Sequence, residues 1–167
     1  MKHPFYSLSI AFLSTLLLLL PNAAQAADSD ETITEAQVIA LVKKTVADIT
    51  KDAPGTLDKI NAAEAPYQDA SNPALYTMVY DTDVIICGHP KSDLQGKSMK
   101  GKPDVQGKKF RDEIVAQALE KQTAWVDYAY QKPNSTGIFQ KTTYCVAVKG
   151  SDGKMYIVCS GMYKPKS

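Results

Sequence analysis

Two side chains in this sequence could hold a small anion at the point where a strand begins or ends. His89 stands before Pro90, where an extended run must stop, and Lys141 opens the run Lys141-Thr142-Thr143-Tyr144. The His89 imidazole can donate a hydrogen bond to a carboxylate in either charge state, or it could simply close its strand by bonding to backbone. A lysine buried at a strand start needs an anion. For Lys141 that is either a ligand carboxylate or an internal acid, Asp127 on the neighbouring strand being the candidate. Tyr76 and Tyr80 are evenly spaced on one extended run, so they share a face and could offer phenolic donors. Trp125, the only tryptophan, could wall a binding site or fill the core. Tyr128, three residues on, is structural if Trp125 faces a ligand. Tyr144 lies across the strand from Lys141, so the two do not touch one small ligand together. Trp125 shares a face with Asp127, and Tyr163 at the end of the last strand reads as packing.

Other chemistry has little to work with. The chain shows no serine nucleophile elbow, no HExxH helix, no phosphate loop and no conspicuous carboxylate pair. His3 and His89 are the only histidines, thin material for general acid–base catalysis. Neither an enzyme nor a cofactor is expected. Cys87, Cys145 and Cys159 have no zinc spacing. Cys145 and Cys159 fall on two predicted strands joined by Gly150-Ser151-Asp152-Gly153, nearly opposite each other. They could form a disulfide or pack as small apolar side chains. The second reading is preferred, because adjacent strands rarely offer relaxed disulfide geometry.

The elements that must position these residues are legible in the periodicity. Thr32-Ile33-Thr34-Glu35 has capping-box spacing and opens a helix whose stripe is Val38, Ile39, Val42, Val46 and Ile49. Pro54-Gly55 is expected to end it, and a short helix from about Thr56 to Ala62 to follow. Leu75 to Tyr80 and Val84 to Cys87 read as strands of a hairpin turned by Asp81-Thr82-Asp83. A long connection, Lys91 to Lys109, leads to a helix marked by Phe110, Ile114, Ala118 and Leu119. Three strands end the chain, at about Ala124–Tyr130, Lys141–Val148 and Met155–Met162. The sum is an α+β domain with a five-stranded antiparallel sheet.

Residues 1–26 read as a secretory signal peptide: Lys2, an apolar run from Ile10 to Leu20, and the small-x-small site Ala24-Gln25-Ala26. Residues 27–33 then form a flexible start and residues 34–167 one domain. Without Lys2 the 19 basic residues fall to 18, equal to the 18 acids, which argues against wholesale binding to nucleic acid or anionic lipid. No second apolar stretch has membrane length, so the expected product is periplasmic or secreted, with no transmembrane helix after cleavage.

The motifs, in order, are Tyr80-Asp81, His89-Pro90, Gly96-Lys97 and Asp104-Val105-Gln106-Gly107-Lys108-Lys109-Phe110. They continue with Trp125-Val126-Asp127-Tyr128, Pro133 to Gly137, Lys141 to Tyr144, and Gly161-Met162-Tyr163. This succession resembles the type 2 single Cache domain, an extracytoplasmic small-molecule sensor module, over roughly Glu35 to Tyr163. The resemblance implies a PAS-like curved sheet with a long N-terminal helix and a loop-helix cover, the ligand lying between cover and concave face. The cover here is Lys91 to Arg111, with seven basic residues against Asp93 and Asp104. It is either a solvated polar loop or an anion-attracting lid. Ligand-binding candidates are Tyr80, His89, Trp125, Tyr128, Lys141 and Tyr144. In place of the family's usual turn glycine stands Val84, so the hairpin must manage φ > 0 at Thr82 or Asp83, or turn differently. The function implied is binding of a small anionic metabolite such as a short carboxylate, any signal passing to a membrane receptor, kinase or transporter. The alternative is a module that has lost its ligand and binds a protein.

Overall fold

The computed structural model describes residues 33–133 and 135–164. The expected signal peptide, the residues beyond Lys164 and Asn134 of the Pro133–Gly137 turn lie outside the described residues. Three α-helices and five strands follow in the order α1 (Glu35–Lys51), α2 (Ala53–Asn61), β1 (Thr77–Tyr80), β2 (Ile86–Gly88), α3 (Phe110–Lys121), β3 (Thr123–Tyr130), β4 (Phe139–Lys149) and β5 (Met155–Tyr163). The strands form one antiparallel sheet in the order β2-β1-β5-β4-β3. This is the α+β architecture expected from the sequence.

The helix boundaries shift from expectation for local reasons. The capping box belongs to Thr34 and Gln37, two residues later than read: Gln37 N–H donates to the Thr34 hydroxyl at 3.3 Å while the Gln37 side chain accepts from Thr34 N–H at 2.8 Å. At the other end Asp52 serves both helices. Its backbone closes α1, and its carboxylate accepts from Gly55 N–H at 3.0 Å to open α2. Pro54 therefore sits in the first turn of α2, where a missing N–H is harmless, and starts a helix rather than merely ending one.

The sheet separates two apolar layers. Val38, Val42 and Ile49 of α1 and Ile60 of α2 pack toward one face, against Val79, Tyr156 and Val158 among others. On the other face Met78, Tyr80, Ile86, Val126, Tyr128, Cys145 and Ile157 meet Met99, Phe110, Ile114, Val115 and Ala118 from the loop and α3. The loop is pinned at several points. Met99 N–H donates to Val84 carbonyl at 2.9 Å, and Asp104 accepts from the backbone N–H groups of Gln106, Lys108 and Ala129, each at 2.9 Å.

Two details correct the sequence reading. Val84 itself takes the positive φ of the β1–β2 turn, 62°, while Asp81 accepts from Asp83 and Ile85 N–H groups. A β-branched residue is strained there, and its side chain is buried among Met99 and its neighbours. Cys145 and Cys159 are direct cross-strand partners and are joined in a disulfide, so the preferred reading of two unlinked thiols is overturned. Cys87 is free.

Candidate functional site

Tyr76, His89, Arg111 and Lys141 come from four distant segments and meet under the cover. β4 places Lys141 on the cavity face, fully buried, opposite Tyr128 in register. Its ammonium donates to the Tyr76 hydroxyl at 3.0 Å and lies over the Tyr76 and Tyr163 rings at 4.3 and 4.8 Å. Gly161 beside it on β5 makes room: a Cβ there would lie within 3.0 Å of Lys141 Cε and also crowd Thr142 and Thr143. Tyr76 is fastened in turn by the Ser160 hydroxyl, which donates to its carbonyl at 2.8 Å.

His89 is held by its backbone and its ring. Its N–H donates to Asn61 at 3.0 Å, and its carbonyl accepts from Gln95 at 2.8 Å. Its Nδ1 accepts from Lys91 N–H at 2.9 Å, which leaves the proton of the neutral ring on Nε2. Burial, then the charges of Lys141 and Lys91, opposed in part by Asp93 and aided least by Arg111, pull its pKa to about 3. The imidazole is therefore neutral at ordinary pH. Burial raises Tyr80 to about 12 and Tyr76 and Tyr128 well above the usual phenol range, so all three stay protonated.

Arg111 is the residue the sequence reading did not single out. It opens α3 directly after Phe110 and is only 8% exposed. Its guanidinium lies 4.2 Å from the Phe110 ring centroid and 5.7 Å from that of Tyr130. Its Nε has no hydrogen-bond partner, and among the described residues no carboxylate pairs with it. A signal existed: Arg111, Ile114, Val115 and Ala118 follow i, i+3, i+4, i+7, which puts a cation on the buried stripe of α3. The other lysines of the cover, apart from half-buried Lys108, are exposed. Most of the cover is thus a solvated polar loop with one cation turned inward.

Arg111 lines two spaces. A narrow cavity of about 10 Å³ lies among Tyr76, Tyr80, His89, Phe110, Tyr128 and Tyr130. A larger one of about 380 Å³ opens past Tyr130 toward the loop. A third, of about 90 Å³, touches Tyr76, His89 and Lys91. The structure thus brings together Tyr80, His89, Tyr128 and Lys141 of the six sequence candidates and adds Tyr76, Arg111 and Tyr130. Trp125 and Tyr144 are not among them. Alternation puts both on the α1 face, where their rings sit 5.1 Å apart and Trp125 is 39% exposed. Asp127 shares that face and pairs with Lys164 at 2.7 Å, not with Lys141.

A five-stranded antiparallel sheet with a pinned loop-helix cover and a polar cluster beneath it is an architecture of PAS-like type. The Cache domain family matches residues 67–166, more than half of the chain, and this chain belongs to that family. No curated protein matches it. A periplasmic sensor domain of a chemotaxis protein is 25% identical, with a TM-score of 0.58 over 78% of this chain and 90% of that one. A Cache chemosensory domain solved as the structural basis for carboxylic acid recognition is 21% identical, with a TM-score of 0.62 over 78% and 92%. A methyl-accepting chemotaxis protein from Vibrio parahaemolyticus is 15% identical, with a TM-score of 0.59 over 77% and 86%. These likenesses share the fold described above.

Proposed function

We propose that this Cache domain is an exported sensor for a small organic anion, in the first place a carboxylate. The head group would be held by Arg111 and Lys141, with His89 Nε2–H and the Tyr76 hydroxyl as neutral donors. The observation that carries this reading is Arg111. A buried guanidinium without a carboxylate is unfavourable in an isolated fold and becomes favourable once an anion pairs with it. A neutral His89 adds a donor without demanding a second negative charge. Recognition of carboxylic acids by one structural relative lends the same ligand class support.

Export rests on the N-terminal segment, with residues 1–26 as a cleaved signal peptide and residues 34–167 as one Cache domain. No helix among the described residues is long and apolar enough to cross a membrane. The bound state would then be communicated to a membrane receptor, kinase or transporter. The mass of the protein recovered from the periplasm should begin at Ala27, and retention of Met1 would refute the cleavage.

The test of the ligand class is thermal melting against short carboxylates, hydroxy- and keto-acids and amino acids. A ligand at 100 times its Kd adds about 2.7 kcal/mol, several degrees for a domain of this size. A selective shift supports the proposal. No shift from folded protein with any acid would favour a protein-interaction module instead.

A further inference from the structure

Resting on the carboxylate reading of the Arg111 site, we propose that the ligand is a monocarboxylic acid with an extended apolar tail. The tail lies in the groove between Val105 and Ile138. The narrow cavity beside Arg111, about 10 Å³, has room for roughly one water. Growth past the head group is limited there, since the space beyond Tyr76 and His89 is only about 90 Å³. On the other side the same guanidinium opens onto about 380 Å³. Its apolar walls are Pro103, Val105, Phe110, Ala129 and Ile138.

Val105 is 69% exposed and Ile138 49%, two of the four large apolar side chains left in solvent among the described residues. Both line this one groove together with Pro103, Phe110 and Ala129, so their exposure is gathered at one cleft rather than scattered. The Val105 wall is held in place, because the adjacent Asp104 is bonded to three backbone N–H groups, one of them on β3. Those bonds hold the Asp104 carboxyl below the usual range against the effect of burial, so a negative charge stays beside the groove. A second carboxylate at the end of the tail would meet it. Lys91 and Gln131 line the same space, which makes a dicarboxylate the natural control.

Calorimetric titration of protein produced from the full sequence with acetate, butanoate, hexanoate and octanoate tests this directly, with hexanol and adipate as controls. Each added methylene should tighten binding about fourfold, from roughly 0.8 kcal/mol per buried CH₂. Hexanol should not bind, and adipate should bind more weakly than hexanoate. Val105→Asn and Ile138→Asn, neutral changes at exposed positions where folding is not at stake, should each weaken hexanoate about tenfold or more and weaken acetate far less. A series that is flat or falls with length overturns the tail, as does hexanoate binding indifferent to both substitutions, or adipate binding more tightly. Hexanol binding as well as hexanoate overturns it too. If acetate still binds in those cases, the carboxylate reading survives. If no acid binds, both fall.

Discussion

Arg111 and His89 meet the same surroundings with opposite chemistry: a guanidinium is a cation at any ordinary pH, and the His89 imidazole gives its charge up. For Arg111 the consequence is a conflict between stability and function. Arg111→Met keeps the aliphatic stem against Phe110 and removes a buried charge that no carboxylate among the described residues neutralises. The ligand-free variant should be as stable as the parent, or up to a few kcal/mol more so, while losing the response to acids. Urea melts of both proteins check this, and a loss above about 2 kcal/mol would make Arg111 structural. For His89 the folded pKa lies near 3, below the 6.5 of a free imidazole. The unfolded chain therefore binds the extra proton first. The stability tied to a neutral His89 is complete above pH 6.5 and drains away as pH falls from there toward 3, about 2 kcal/mol of it by pH 5. His89→Asn should flatten that part of the profile, and parallel slopes for the two proteins would show that His89 is not buried neutral. His89 was legible because it stands beside a proline, Lys141 because it opens an expected strand, and Tyr76 because it alternates with Tyr80. Arg111 was hidden among six basic neighbours, and only its phase on α3 separates it from them. Trp125 drew attention as a residue type, but one step of strand alternation carries it to the other face.

At the scale of elements, the sheet works because β4 and β5 approach closely where Lys141 lies flat. Gly161→Ala would push a methyl into Lys141 Cε and the Thr142–Thr143 backbone and side chain. The expected loss is about 1–3 kcal/mol, together with weaker acid binding as the ammonium is displaced. Unchanged stability would mean the two strands give way easily. The Cys145–Cys159 link ties the same pair of strands across a separation of 14 residues. Its removal as Cys145→Ala/Cys159→Ala should destabilise by about 3 kcal/mol in the chain-entropy picture. Thiol titration of denatured, unreduced protein should find one thiol, Cys87, and three would contradict the pairing. Strand order and helix stripes could be read from periodicity because burial on one face leaves a repeat. The exact caps could not. Thr32 and Thr34 both offer a hydroxyl, and only the Gln37 side chain three residues on decides between them. Val84 was equally opaque, since its positive φ is imposed by the Asp81 turn and the burial of its own side chain.

The whole molecule divides its labour across the sheet. One layer, toward α1 and α2, is almost wholly apolar, and the other carries the aromatic and cationic cluster beneath a loop held to β3 through Asp104. That division explains why a chain with balanced charge can still present a strongly cationic interior. The central claim is that Arg111 and its neighbours form an anion site, and the direct measurement is a calorimetric titration of the best acid from the thermal panel into the parent protein and into Arg111→Met. Saturable one-to-one binding to the parent and none to the folded variant is the expected result. Equal affinity for both proteins would contradict it.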